Sequence, residues 1–259
     1  MIKNYTSSFE RKIKSIIPNK FKIFFISILT NKMIGLLIKK LGLKSNFFGG
    51  IFDYNLVTDN EAAQIFWGIW ESAEIRFSKR FVKTGTIIEL GSSVGVTLGV
   101  LSNCHKGSKF ICVEASTINF KKLIRLKKNL PAYNEYLLIN KAISYTNDSI
   151  GFKHTSTMGS KIYYEPNYNV NTIPTITLAN LLDENKINEE FTLITDIEGA
   201  EAEIFFKDKN ALKNCIQIIA ELEETSLYSI SSQIKQLQSI GFVITEMYGN
   251  VIVMDRSAK

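Results

Sequence analysis

The sequence predicts a mainly parallel, seven-stranded α/β sheet with helices on both faces and an antiparallel hairpin at its C-terminal end. Three observations predict it: short apolar runs alternate with amphipathic segments, a glycine loop joins the first run to a helix, and the last two runs flank Tyr248-Gly249-Asn250. Strands separated by helical crossovers pair in parallel, whereas strands joined by a tight turn pair antiparallel. The chain has 259 residues, of which 45% are hydrophobic, enough for one such domain and a short extra segment.

The predicted elements follow one another with this alternation. A helix with buried aromatic side chains is expected over 61–81, and the strands are expected at 86–90, 109–113, 136–143, 191–197, 215–220, 242–247 and 251–254. Between them, helices are expected after the glycine loop, after a cap at Ser116 or Thr117, from about Ala200, and from Leu227 until Gly241 ends the last one. Residues 144–175 interrupt the alternation and are expected to form an insertion over the sheet edge.

The chain is predicted to divide into a basic helical arm, residues 1–60, and the main domain, residues 61–259. Residues 1–44 carry ten basic side chains against Glu10, a net charge of +9, so the rest of the chain carries −3 of the total of +6. This asymmetry argues against a nucleic-acid surface on the main domain and assigns any attraction to anionic surfaces to the arm.

The role of the arm has two alternatives. Its apolar runs, Ile23 to Leu29 and Met33 to Ile38, are shorter than the roughly 20 residues that a membrane span needs. Residues 1–44 therefore either lie on a membrane surface as a basic amphipathic helix or form a cap on the domain or on a partner subunit of a homo-oligomer. The odd number of cysteines, three, indicates a reducing compartment, so we expect a cytoplasmic protein that can be peripheral to the inner face of the membrane.

A glycine loop, Glu89-Leu90-Gly91-Ser92-Ser93-Val94-Gly95, follows the first strand, where an open parallel sheet binds nucleotides. It lacks the middle glycine that a pyrophosphate requires, which favours a cofactor without a pyrophosphate. Glu114 ends the second strand 23 residues after Gly91, where an acid in such folds accepts hydrogen bonds from the hydroxyls of a ribose. Together they predict a nucleoside cofactor.

Four segments of the chain resemble the FkbM family of methyltransferases. They are Glu89 to Gly95, Val113-Glu114-Ala115, Asn140 to Ser144, and Leu193-Ile194-Thr195-Asp196-Ile197-Glu198-Gly199-Ala200-Glu201, the last of which is similar to the family signature Lys-Ile-Asp-Val-Glu-Gly-Ala-Glu. The resemblance extends over about 62–254. Ile194 and Thr195 stand where that signature has its lysine and isoleucine, so the lysine is absent.

The resemblance implies a Rossmann-like class I methyltransferase fold, S-adenosylmethionine as the methyl donor, and O-methylation of a hydroxyl, often on a sugar of a polysaccharide, a glycolipid or a glycosylated product. By position, Glu71 and Glu89 would face the methionine end of the cofactor, Glu114 would hold the ribose, and Ala142 would lie near the adenine. The loop residues Gly91, Ser92, Ser93 and Gly95, with Ala115 beside Glu114, complete the expected cofactor site.

Asp196 follows the fourth main-sheet strand, across the sheet from the glycine loop, where the reacting atoms of a ligand would lie. Methyl transfer to a hydroxyl needs a group that removes a proton from a weakly acidic oxygen. Asp196 or Glu198 is therefore the predicted base or its orienting partner, whereas Glu201 is expected to cap or solvate the next helix. His154, in the insertion, is an alternative base.

Two further hypotheses concern the same acids. Asp196, Glu198 and Glu221 could bind a divalent cation such as magnesium, or they could be helix N-terminal acids without a chemical role. Two other functions also remain open from the sequence. They are a nicotinamide-dependent oxidoreductase and a non-catalytic, membrane-peripheral binding protein with a degenerate cofactor site.

Overall fold

The computed structural model describes the backbone of residues 26–156, 159–163 and 171–257, and the side chains of these residues except 152–156, 159–163 and 171. The helices are α1 Lys32–Lys40, α2 Asp59–Phe66, α3 Ser72–Phe81, α4 Val96–Cys104, α5 Thr117–Lys127, α6 Leu178–Glu184, α7 Glu201–Lys207 and α8 Ile230–Ser239. The strands are β1 Thr86–Leu90, β2 Lys109–Val113, β3 Glu135–Ile139, β4 Ala142–Ile143, β5 Ser149–Ser156, β6 Gly159–Tyr163, β7 Asn171–Ile176, β8 Phe191–Thr195, β9 Cys215–Glu221, β10 Phe242–Tyr248 and β11 Val251–Arg256.

The main sheet has seven strands in the order β10-β11-β9-β8-β1-β2-β3. The five neighbouring strands β9-β8-β1-β2-β3 pair in parallel, and β11 is antiparallel to both β9 and β10. Side chains alternate between the two faces, so Ile87 and Ile194 pack in one core layer and Ile88 and Leu193 in the other. This confirms the predicted seven-stranded sheet, its parallel core and its C-terminal hairpin.

The prediction of one continuous helix over 61–81 is wrong, because the chain forms two helices there, α2 and α3. Gly68 has a φ of 66° and lies against the ring of Phe48, and Glu71 has a φ of 44°. A left-handed residue cannot continue a right-handed helix, so the chain turns between them. The turn places Trp70 and Glu71 beside the carboxyl edge of the sheet.

The predicted third strand, 136–143, is divided between two sheets. Asn140 lies between β3 and β4, and its side-chain amide donates to the carbonyl oxygens of Glu114 and Ala115 at 2.8 and 3.1 Å. These bonds hold the chain against the end of β2. The next strand, β4, does not pair in the main sheet. β4 and the predicted insertion form a second sheet in the order β4-β7-β5-β6. The described residues of the insertion therefore supply three strands of this second sheet.

The last predicted helix begins later than the sequence indicated. Leu227 is 77% exposed and lies in a loop, whereas α8 starts at Ile230 after a cap in which the Ser229 hydroxyl accepts from the Ser232 amide at 3.1 Å. The predicted cap at Ser116 is confirmed, because its hydroxyl accepts from the amide of Asn119.

The described part of the predicted arm packs on the main domain. Ile38, Phe52 and Tyr54 are at most 3% exposed and belong to the core layer that includes Leu98 and Val100 of α4. Among residues 26–257 that the structure describes, no helix is long and apolar enough to cross a bilayer. Residues 1–25 lie outside the described range.

Candidate functional site

A cavity of about 200 Å³ opens at the carboxyl edge of the main sheet, beside the ends of β8 and β9. Its lining consists of one aromatic and five acidic side chains: Trp70, Glu71, Asp196, Glu198, Glu221 and Glu223. Cavities that enclose a whole small-molecule ligand commonly measure ~300–1,000 Å³. This cavity is smaller than that, so it can hold the reacting end of a cofactor and an acceptor group, and the rest of a cofactor would lie outside it.

Three residues around the site have left-handed backbone conformations although they are not glycines. The φ angles are 44° at Glu71, 48° at Ser93 and 58° at Glu198. Each such residue costs on the order of 1–3 kcal/mol, and such conformations cluster at binding and catalytic sites. Two of these three residues are acids that were predicted to face a ligand.

Glu201, the first residue of α7, holds the loop that carries the cavity acids. Its carboxylate is fully buried and accepts from the amides of Ile197 and Gly199 at 2.5 and 2.9 Å. The expectation that Glu201 caps or solvates the helix is wrong, because the amides it binds precede α7, the start of α7 has no side-chain cap, and the side chain is buried. Since these bonds fix the backbone on both sides of Glu198, Glu201 is a positioning residue for the cavity.

Burial and mutual repulsion keep protons on these acids. Burial first, and then repulsion from neighbouring carboxylates, Glu71 foremost, raises the pKa of Asp196 to about 8. Burial raises the pKa of Glu89 to about 8 as well, against the opposing hydrogen bonds from Ser92 and Cys112. Burial also raises the pKa of Glu71 to about 7, with Glu221 as the first of the carboxylates that add to it. Exposed carboxyls ionise near ~4, so this cluster is poised to gain or lose protons close to neutrality.

Glu74 and Glu223 belong to this cluster and were missed by the sequence analysis. Glu74 is 5% exposed, one helical turn beyond Glu71, and burial followed by repulsion from Glu71 raises its pKa well above the ordinary value. Glu223 lies two residues after Glu221 and lines the cavity. Spacings of three on a helix and two along an extended chain place side chains on one face, and this was the available signal.

Glu114 binds the glycine loop to the end of β2. One carboxylate oxygen accepts from the amide of Ser93 at 2.7 Å, and the other accepts from the amide of Ser116 at 2.6 Å. A carboxylate has about four acceptor positions, so roughly two remain for the hydroxyls of a ribose. Burial raises the pKa of Glu114 to about 7, and these two amide bonds oppose the increase.

The two glycines of the loop are required by packing within the protein. A Cβ on Gly91 would lie 1.9 Å from the backbone oxygen of Asp196, and a Cβ on Gly95 would lie 2.6 Å from side-chain carbons of Leu123 and Leu126. Both glycines also have positive φ, 85° and 83°. The loop therefore fits closely against β8 on one side and α5 on the other.

The remaining predicted cofactor residues lie around this loop. Ser92 is 3% exposed, and its hydroxyl donates to the carbonyl of Glu89 at 3.2 Å. Ala115 packs against the small apolar cluster that contains Ala142, a pair suited to the edge of a planar ring. The structure thus brings Glu89, Ser92, the two alanines and Glu114 to one end of the sheet.

The remaining predicted residues are the alternative base and the three acids of the cation hypothesis. His154 lies in β5, but its side chain falls outside the described set, so its candidacy as a base stays a prediction. Asp196, Glu198 and Glu221 line the same cavity. Nevertheless, within the described residues no three His, Cys, Asp or Glu side chains are grouped so that they could hold a metal ion.

The acidic cluster should make the ligand-free chain less stable as the pH rises. Because Glu89, Asp196 and Glu71 have raised pKa values in the folded chain, they hold protons that unfolding releases. This contribution is fully present below about pH 4 and is lost as the pH rises through about 7 to 8. We expect the melting temperature to fall by on the order of 10 °C from about pH 5.5 to about pH 8.5 in calorimetry.

The matched variant for this prediction is Glu89→Gln, which keeps the shape of the side chain but cannot ionise. The fall in melting temperature between the two pH values should be smaller in this variant. Equal melting temperatures for the parent chain at both pH values would contradict the prediction.

The main sheet is parallel except for β11, which lies between β9 and β10 and is antiparallel to both. This topology, with a glycine turn after the first strand and an acid at the end of the second, is that of the class I S-adenosylmethionine-dependent methyltransferases. The sequence model of the methyltransferase FkbM domain matches residues 91–248 of this chain. That is more than half of its length, and the chain belongs to the FkbM family of methyltransferases. This decides against the nicotinamide-dependent oxidoreductase and the non-catalytic binding protein. No curated protein matches the chain.

Several solved structures are similar to this chain at low identity and with TM-scores below 0.5. One is a protein of the NADB-Rossmann superfamily from Streptococcus agalactiae, with 12% identity over 72% of this chain and 68% of that chain and a TM-score of 0.41. Fibrillarin of Aeropyrum pernix with natively bound S-adenosyl-L-methionine has 13% identity over 71% and 73%, with a TM-score of 0.42. The fibrillarin pre-rRNA processing protein of Methanococcus jannaschii has 13% identity over 68% of each chain, with a TM-score of 0.42. Similarities this distant do not indicate an acceptor.

Proposed function

We propose that this methyltransferase transfers the methyl group to a hydroxyl oxygen of a saccharide and that Asp196 receives the hydroxyl proton. The observation that carries the proposal is the placement of Asp196: it lies at the carboxyl end of β8, in the acidic cavity, and its pKa is raised to about 8. A general base works best when its pKa lies near the working pH. An ordinary carboxylate, with a pKa near ~4, would be a poor match for a hydroxyl.

The residues present fit S-adenosylmethionine. The free acceptor positions on Glu114 suit ribose hydroxyls, Ala115 and Ala142 suit the edge of the adenine, and the acids Glu71 and Glu89 suit the cationic methionine end. When bound, the cofactor supplies a methyl group on a positively charged sulfur, which is already activated for transfer.

The protein's own contribution is placement and proton removal. A nearby positive charge lowers the pKa of Asp196 and Glu71, so their carboxylates become available when the cofactor is present. Asp196 would then accept the acceptor's hydroxyl proton as the acceptor oxygen takes the methyl group, and the electron pair of the broken carbon–sulfur bond would stay on the cofactor's sulfur. Glu198 is exposed at the cavity mouth, where it can orient the acceptor by accepting a second hydroxyl and can pass the proton to solvent.

The acidic lining supports a saccharide acceptor. Sugars present several neighbouring hydroxyl donors, and carboxylates are the strongest acceptors among side chains. Five carboxylates within one cavity offer many such positions at short range. His154 stays the alternative base.

The experiment that tests this function compares matched acceptors. The full chain is incubated with methyl-labelled S-adenosylmethionine and pairs of pyranosides that differ only at one position, such as glucosides and glucosaminides. We expect label in both members of a pair, on oxygen, with the attachment site assigned by NMR. Label found only on the amine nitrogen, in the glucosaminides alone, would overturn the assignment to a hydroxyl.

A further inference from the structure

Helix α1 is fixed to the main domain by one of its two sides. A Cβ on Gly35 would lie 1.6 Å from the backbone oxygen of Asp59, so the backbones of α1 and α2 are in direct contact there. Ile38 is 3% exposed on the same side, and the Lys39 ammonium donates to Asp59 and to the carbonyl of Val57, both at 2.7 Å. This inner side of α1 explains how the helix is held.

The other side of α1 carries large apolar side chains that the described residues leave 42–80% exposed. Met33 is 80% exposed, Leu36 42%, Leu37 50% and Leu41, the residue after the helix, 63%. Their spacings of three, one and four residues place them on a single side of a helix. These four residues are called the outer face of α1. Most soluble surfaces do not concentrate large apolar side chains in this way.

Basic side chains accompany this face. Lys40 is exposed on the same side of the helix, and Lys44 is exposed just beyond it. Lys32 is exposed at the boundary with the inner side, where its charge acts on Asp59. Lys39, in contrast, is held by Asp59 on the inner side. The wider segment 1–44 has a net charge of +9, whereas the rest of the chain has −3. Apolar side chains flanked by lysines are suited to the boundary between acyl chains and anionic headgroups.

We propose that the outer face of α1 docks this methyltransferase onto an anionic lipid bilayer. Met33, Leu36, Leu37 and Leu41 enter the acyl boundary, and Lys40 and Lys44 lie at the level of the headgroups. The inner side keeps its contacts with α2, so docking requires no unfolding of the helix. A neutral bilayer or a second copy of this chain would not complement the positive charge of the segment.

The test is sedimentation of the full chain with two kinds of vesicle, phosphatidylcholine alone and phosphatidylcholine mixed with phosphatidylglycerol. We expect binding to the mixed vesicles and little to the neutral ones, with loss of binding at high salt. The variant Leu37→Glu/Leu41→Glu should bind the mixed vesicles roughly a hundredfold more weakly, because it removes apolar area and adds negative charge. A retained thermal shift with S-adenosylhomocysteine shows that the variant is folded.

The matched control is Val243→Glu/Met247→Glu, which makes the same change at two exposed apolar residues of β10. It should bind the mixed vesicles as the parent chain does. Three outcomes would overturn the proposal: no binding of the parent chain to either vesicle, equal binding by the α1 variant, or equal loss in both variants. A dimer that forms without lipid and is abolished only by the α1 variant, with no vesicle binding, would assign the face to a second copy instead.

Discussion

Replacing Asp196 by asparagine is expected to lower turnover by roughly 10²- to 10⁴-fold, the usual contribution of a general base. Binding of S-adenosylhomocysteine should change by less than about threefold. The introduced asparagine has the size of a protonated aspartic acid, and the pKa of Asp196, about 8, keeps the resting carboxyl largely protonated at neutral pH. Label transfer measures turnover, and calorimetry measures the product's affinity.

The pH profile separates a base from a merely structural acid. In the parent chain, turnover should rise with pH until Asp196 is ionised in the loaded enzyme, and this rise should disappear from the residual activity of the variant. The control is Asp183→Asn, an exposed acid of α6, which should retain the parent turnover and profile. If Asp196→Asn also retains the parent turnover, the base lies elsewhere, and His154 becomes the candidate to change next.

Replacing Gly91 by alanine is expected to lower the free energy of unfolding by about 4 kcal/mol or more. The new Cβ would lie 1.9 Å from the backbone oxygen of Asp196, and the residue has a φ of 85°. Either the glycine loop or the end of β8 must move, and both border the cavity. Urea unfolding measures the loss, and the thermal shift with S-adenosylhomocysteine should decrease as well.

Gly107→Ala separates the two causes of this loss. Gly107 has a similar φ, 76°, but a Cβ there would meet nothing within 4 Å. It should therefore cost only the conformational penalty of a left-handed alanine, about 1–2 kcal/mol. The difference between the two variants measures the contact with β8. Equal losses in both would show that the loop tolerates a side chain at Gly91 and that its close fit is not required.

The strands of the main sheet could be predicted from the sequence to within two residues at each end, except the third, whose predicted end lies four residues too far along the chain. Thr86–Leu90 and Lys109–Val113 have the predicted limits, because a strand buried on both faces is a short continuous apolar run with polar or glycine residues at its ends. The helical breaks were harder to predict. At the turn between Gly68 and Glu71, Gly68 lies against Phe48, a residue outside the helix. A local sequence pattern cannot predict such a contact.

By itself, the sequence determined the sheet, the strand-end acids Glu114 and Asp196 and the family, since these depend on local patterns and motifs. Only the tertiary structure decided that Glu71, Glu74 and Glu223 share one acidic site with Asp196 and that Gly91 lies against β8. The physical reason is that burial, repulsion between carboxylates and close backbone contact all depend on distances between segments far apart in the chain. A sequence pattern predicts on which face of a helix or strand a side chain lies, whereas only the folded chain brings the faces of different helices and strands together.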